Sequence, residues 1–167
     1  MAEAAHVLVR MAVEADLPAL EWEGQYRRFR RVYRHAYSES RKGRRLLLVA
    51  EFGGLVVGQV FVQFTGLQQG VDGASRTAYM HAFRVRPEYR NLGIGTQLVR
   101  EAESLLRARD IRRVQIAVAK ENQGARRLYE RLGYTIIGED PGEWSFVDDG
   151  GNIQHVHEPS FLLERAL

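Results

Sequence analysis

Two periods alternate along this chain. Short apolar runs of strand length fall at residues 6–11, 46–52, 55–64, 76–86, 111–118 and 134–138, and within 111–118 the residues Val114, Ile116 and Val118 share one face. Elsewhere apolar residues recur in steps of three and four. Trp22, Tyr26, Phe29, Tyr33 and Ala36 or Tyr37 form one stripe, which predicts a helix with Arg27, Arg28, Arg30, Arg31 and Arg34 on its other side. Leu98, Val99, Ala102, Leu105 and Leu106 predict a helix over 96–109, and 122–132 reads as another, stopped by Gly133.

Punctuation residues divide these elements. Asp16 reads as the N-cap of a short helical turn that tolerates Pro18 near its start. Gly53-Gly54 signals a tight hairpin, and Gly58 beyond it marks a bulge or a close backbone approach. Pro87 ends the run 76–86. Residues 66–75 are a polar loop without periodicity, expected to cross the surface and to move. Residues 144–147 and 154–163 read as extended arms around a turn at 148–152. The mixed order predicts an α+β fold, one central sheet with helices on both faces, in a single domain over 1–167.

Composition narrows the class. The 167 residues are 45% hydrophobic and 27% charged, as in a globular chain, and no apolar run approaches the ~20 residues that span a bilayer. No apolar leader opens the sequence, so a cytoplasmic protein without a membrane partner is expected. There is no cysteine, which removes a thiol nucleophile and any acyl relay through one. The net charge of +3 suits an anionic ligand without demanding nucleic acid. Nucleic-acid binding would rest only on the arginines between 27 and 45, with no recognition motif, and is not expected.

The chemistry concentrates at Arg90-Asn91-Leu92-Gly93-Ile94-Gly95-Thr96, between an extended run and a helix. The first amides of a helix lack intrahelical acceptors and sit at the positive end of its dipole. Gly93 and Gly95 would let the backbone close on an anion, and Arg90 adds a forked charged donor. Two readings fit this stretch alone: a phosphate cradle, and a tight turn that opens a helix.

A second stretch bears on that choice. Asn122-x-x-Ala125-x-x-Leu128-Tyr129-x-x-x-Gly133-Tyr134 follows the first motif after a helix and a strand. In order and spacing, Arg90-x-x-Gly93-x-Gly95 together with this segment resembles the two signature motifs of the GNAT acyl-CoA N-acyltransferase superfamily, over about residues 79–138. The resemblance implies a mixed, mostly antiparallel sheet of six to seven strands whose fourth and fifth strands are parallel and splay apart. It implies acetyl-CoA as co-substrate, with no metal. Pantetheine would pair with the backbone of Phe83, Arg84 and Val85 as an added strand. The pyrophosphate would meet the amides of Asn91, Leu92, Gly93, Ile94, Gly95 and Thr96, flanked by Arg90. Asn122 would bond the pantetheine arm, and Tyr129 would serve as the acid for the departing thiolate. The residues themselves also allow Tyr129 as a core aromatic, Asn122 as a helix cap, and Phe83 and Val85 as core strand.

Where many members carry a glutamate on the fourth strand, this chain has Tyr79-Met80-His81-Ala82. His81 is the first candidate base because an ordinary histidine titrates near neutrality, and a packed strand histidine is the other reading. Tyr79 could position a water, and Glu51 and Glu23 are weaker candidates. His155 and His157 share a strand parity without a third ligand, so exposed strand residues are expected rather than a metal site. The expected function is transfer of an acetyl group directly to a primary amine of a peptide, protein or small molecule. The alternative is a non-catalytic acyl-CoA sensor or partner module. An unpaired edge at 156–163 would allow a homodimer.

Overall fold

The computed structural model describes residues 6–64 and 76–167. The loop at 66–75 therefore lies outside the described residues. The described residues form nine strands and three α-helices, in order: β1 (Val7–Met11), α1 (Arg30–Arg41), β2 (Arg45–Phe52), β3 (Leu55–Gln63), β4 (Thr77–Val85), α2 (Ile94–Ala108), β5 (Arg113–Ala119), α3 (Gln123–Arg131), β6 (Thr135–Asp140), β7 (Glu143–Val147), β8 (Ile153–His157) and β9 (Ser160–Ala166). Short 3₁₀ segments lie at Glu14–Glu21, Arg27–Phe29 and Pro87–Tyr89.

The main sheet has seven strands in the order β1-β2-β3-β4-β5-β9-β6. Every adjacent pair is antiparallel except β4 and β5, which run parallel. Both faces are covered. Leu46, Leu48, Val60, Met80 and Val114 face a core closed by α2 and α3, while Leu47, Val49 and Phe61 face a second core closed by α1 and the 3₁₀ segments. This two-sided burial explains why the second strand reads as an unbroken apolar run rather than an alternation. Gly58 answers to both of its readings. The β2–β3 register shifts beside it, and a Cβ there would lie 3.1 Å from the Arg84 carbonyl and 3.2 Å from Leu98.

Three elements depart from the sequence reading. The aromatic stripe is not one helix: Trp22, Glu23 and Gly24 all take left-handed backbone, and α1 starts only at Arg30. Tertiary contacts hold the break, since Trp22 is buried, Arg86 lies over its ring, and Arg86 donates to Glu23 at 2.8 Å. Asp16 is not the N-cap. It sits inside the first 3₁₀ segment, where its carboxylate accepts from the Val13 amide at 2.7 Å and pairs with Arg10. The second tail arm breaks at Pro159. β8 stays in a hairpin with β7, while β9 inserts between β5 and β6 and is paired on both sides. The edge strand on which the homodimer expectation rested is therefore an interior strand.

Candidate active site

The site begins with a defect in β4. Phe61 pairs with His81 and Gln59 with Arg84, so Ala82 and Phe83 stand opposite Val60 alone. Ala82 absorbs the extra residue with a left-handed φ of 50°. On its other side β4 pairs with β5 only from Thr77↔Arg113 to Met80↔Ile116. Past that point the strands part, and a cavity of about 840 Å³ opens between Ala82–Val85 on one wall and Ile116–Ala119 on the other.

The junction from β4 to α2 forms one end of this cavity. Arg90 Nε donates to the Val85 carbonyl at 3.0 Å, fixing the loop against the end of the strand. Asn91 and Gly93 are both left-handed, and Gly93 is the residue before the first helical position. The first intrahelical bond runs from the Gln97 amide to the Gly93 carbonyl at 3.0 Å, so the amides of Ile94, Gly95 and Thr96 have no acceptor within the helix. The helix thus starts two residues earlier than its apolar spacing suggests. Gly93, Ile94, Gly95 and Thr96 line the cavity with Arg90 and Asn91; Leu92 does not and points to solvent. The two glycines have different reasons. Gly93 takes a φ of 80° that disfavours a side chain, whereas a Cβ on Gly95 would come within 2.9 Å of the Phe83 ring.

The opposite wall comes from α3. Asn122 caps this helix, its Oδ1 accepting from the Ala125 amide at 3.1 Å, and it also lines the cavity. Tyr129 is 2% exposed, lines the same cavity, and packs its ring 5.7 Å from Phe83 and 5.8 Å from Tyr134. Burial pushes the Tyr129 hydroxyl far above its ordinary value, so the phenol stays protonated. Behind it the Tyr134 hydroxyl donates at 2.9 Å to Glu103, a fully buried carboxylate that also accepts from Arg165 at 2.7 Å.

A second cavity, of about 810 Å³, lies on the other face of the sheet between α1 and the β7–β8 hairpin. His81, Ala82, Arg84, Ala117 and Glu158 line both cavities and mark where they meet. His81 is stacked on Tyr79 with ring centroids 6.0 Å apart and stands edge-on to Phe61 at 5.7 Å. Burial, aided by the charges of Arg45 and Arg84, lowers its pKa to about 4. It therefore does not titrate near neutrality as its residue type suggests. Its buried Nε2 has no hydrogen-bond partner among the described residues. The Arg84 side chain points to this second face, where Nη1 donates to the Tyr33 hydroxyl at 2.8 Å. Glu51 and Glu23 are engaged with Arg10 and Arg86 and line neither cavity. Glu158, in the turn between β8 and β9, escaped the sequence reading. Nothing in its spacing ties it to β4; it arrives because a Cβ-free Gly142 lets the Glu158 carbonyl pack against the β6–β7 turn. At the hairpin rim His155 meets Ser145 and His157 meets Glu143.

Residues 10–134 match the model of the acetyltransferase (GNAT) family. The chain belongs to the GNAT acetyltransferase family. Solved structures agree on the fold. The Escherichia coli ribosomal-protein-S18-alanine N-acetyltransferase is 18% identical, with 96% of this chain and 94% of that chain covered and a TM-score of 0.71. The PaiA N-acetyltransferase of Thermoplasma acidophilum, solved in complex with coenzyme A, is 17% identical over 97% and 99%, with a TM-score of 0.72. Ard1 of Thermoplasma volcanium is 17% identical over 96% and 97%, with a TM-score of 0.74. At these identities the likeness is one of fold, and it agrees with the mixed, mostly antiparallel sheet expected from the motifs. Among the described residues no helix is long and apolar enough to cross a membrane.

Proposed function

We propose that the whole chain works as one cytoplasmic domain that transfers the acetyl group of acetyl-CoA directly to a primary amine, both substrates being bound at once. The observation that carries this reading is the parting of β4 and β5. It leaves a strand-wide slot with unpaired amides at one end and a protonated phenol in its wall, and the slot communicates with a second cavity through His81, Arg84 and Glu158. A thin, amide-bearing ligand can pair with the free edge of β4 at Phe83, Arg84 and Val85. Its pyrophosphate is matched by the amides of Ile94, Gly95 and Thr96 beside Arg90, and its arm by Asn122.

In the chemical step the amine nitrogen attacks the thioester carbonyl, a C–N bond forms and the C–S bond breaks. The oxyanion that develops needs backbone donors, which the bulged segment of β4 can supply. The leaving thiolate takes up a proton from Tyr129, whose buried hydroxyl holds its proton at every physiological pH. The amine must shed one proton to water before it attacks, and the second proton it loses as the amide forms returns through water to Tyr129. His81 is neutral and its Nε2 is uncommitted, so it is placed to accept a hydrogen bond from that amine, directly or through water. Its low basicity makes it an orienting acceptor rather than a strong base, and Glu158 is the carboxylate at the same junction.

The lack of a carboxylate on β4 supports a second reading, an acyl-CoA-binding module without turnover. The experiment that separates the two is release of the coenzyme thiol from acetyl-CoA in the presence of a broad amine panel, with wild type and Tyr129→Phe. Amine-dependent release that Tyr129→Phe suppresses, while acetyl-CoA binding persists, supports the enzyme. Binding without release by any amine supports the module.

A further inference from the structure

The second cavity carries charges that its aromatic lining does not require. The Arg84 guanidinium stands at the junction of the two cavities with no carboxylate within ion-pair distance among the described residues. A half-buried cation left without a counter-ion is costly. Here it is held in place all the same. Its guanidinium carbon lies 4.1 Å from the centroid of the Tyr26 ring, and Nη1 donates to the buried Tyr33 hydroxyl at 2.8 Å. That leaves most of its fork of five N–H donors uncommitted. Arg45 lines the same cavity from β2, also without a carboxylate partner among the described residues. Burial is the main cause of the low His81 pKa, and the charges of both arginines lower it further.

Arg31 and three carboxylates line the cavity as well. Asp140 accepts from the Gly142 amide at 2.6 Å, and Glu143 meets His157 at 3.3 Å on the rim. Glu158 remains, at the junction with Arg84. Arg84 and Glu158, of opposite charge, thus both line the junction of the two cavities, a pairing that a zwitterion complements. Around them Phe61, Tyr79, Trp144 and Phe146 offer apolar walls. The outer end is bridged where Phe29 packs on Trp144 and Phe146 and where Arg27 pairs with Asp149 at 3.3 Å. Such a compartment suits a small molecule better than a continuing chain.

Resting on the transferase reading above, we infer that the acceptor is a free α-amino acid with an aromatic or large apolar side chain, its carboxylate gripped by Arg84 and its amino group beside Glu158 at the slot. A simple alkylammonium ion offers nothing to the uncommitted donors of Arg84, whereas an amino acid brings its own anion to them. The carboxylate–guanidinium contact fixes the amine relative to the thioester, which is what a direct transfer needs.

The test measures acetyl-CoA-dependent thiol release with L-phenylalanine, L-tryptophan and L-methionine, each beside its amide and its decarboxylated amine. The same panel is run with Arg84→Gln and Arg84→Lys, and the thermal unfolding of each variant reports its folding. The acids should exceed their amides and amines by about 10- to 100-fold in kcat/KM, the worth of a hydrogen bond to a charged group. Arg84→Gln should erase that preference by raising KM for the acids far more than for their amides and amines, and Arg84→Lys should keep part of it. Equal or better rates with amides or amines overturn the inference, as does a preference that survives in a folded Arg84→Gln. If that variant does not fold, the wild-type comparison decides alone. Turnover only with peptides or lysine side chains overturns the inference and leaves the transferase intact. No turnover with any amine removes the transferase reading itself.

Discussion

Gly95 lies under Phe83: a Cβ built on the glycine would stand 2.9 Å from the phenyl ring. The second glycine of the loop therefore serves the packing between α2 and β4, and through Phe83 the position of Tyr129, whose ring is 5.7 Å away. Gly95→Ala should destabilise the fold by about 1–3 kcal/mol through overpacking. It should also weaken acetyl-CoA binding, because the displaced ring lines the slot. Chemical denaturation and a binding isotherm on the same preparation check both effects.

Gly93 acts through its backbone instead. Nothing lies within 4 Å of a Cβ there, but the φ of 80° strains any L side chain. Gly93→Ala should cost about 1–2 kcal/mol of stability, the left-handed penalty, with little direct effect on the slot. Urea denaturation of Gly93→Ala beside Gly95→Ala distinguishes conformational strain from steric displacement, since only the latter should alter acetyl-CoA affinity strongly.

Tyr129→Phe should leave stability nearly unchanged, because the ring and its contacts with Phe83 and Tyr134 remain. It should lower kcat by about 10²- to 10⁴-fold, the usual worth of a positioned general acid. Because burial raises the Tyr129 pKa, no loss of activity from its ionisation is expected below the ordinary tyrosine value. Initial rates over a pH series, for wild type and variant, check both statements.

His81 supplies a pH signature of stability. An unfolded histidine titrates near 6.5, while the folded His81 titrates at about 4. Between these values the unfolded chain binds the extra proton. The contribution is fully present above about pH 6.5 and is lost as pH falls through about 4, on the order of 2–3 kcal/mol across the window. Stability curves of wild type and His81→Gln should converge toward acid, and the variant should lack this part of the acid slope. The activity profile should show no inflection near 6.5 from His81.

The Glu103 carboxylate is wholly buried and is satisfied by Tyr134 and Arg165. Glu103→Ala should lower stability by about 3–5 kcal/mol, since it strands Arg165 and opens a cavity under Tyr134. Tyr134→Phe should cost only about 1–3 kcal/mol, the price of leaving one buried acceptor short of a donor. Thermal unfolding of the two variants gives the comparison.

The parts of this architecture that follow from local spacing were legible in the residues. The strand runs, the glycine loop, the cap at Asn122 and the stop at Gly133 are each set within a few positions of the chain. The parts that depend on distant contacts were not. The break at Trp22-Glu23-Gly24 is held by Arg86, more than sixty residues on. β9 looked like a free edge because its partners β5 and β6 come earlier in the chain. Glu158 enters the junction only through the meeting of two turns at Gly142. His81 kept its residue type but not its expected titration, because its burial and its neighbours Arg45 and Arg84 are tertiary facts.

In the proposed transferase the parted strands and the first amides of α2 hold acetyl-CoA. Thermal unfolding with and without acetyl-CoA, in wild type and Gly93→Asp, tests it most directly. Aspartate tolerates the left-handed backbone and would set a carboxylate against the same amides. At 100 times its dissociation constant the ligand should stabilise wild type by about 2.7 kcal/mol, and the folded variant should show little shift. No shift in wild type, or an equal shift in both, would mean that the slot and these amides do not bind acetyl-CoA.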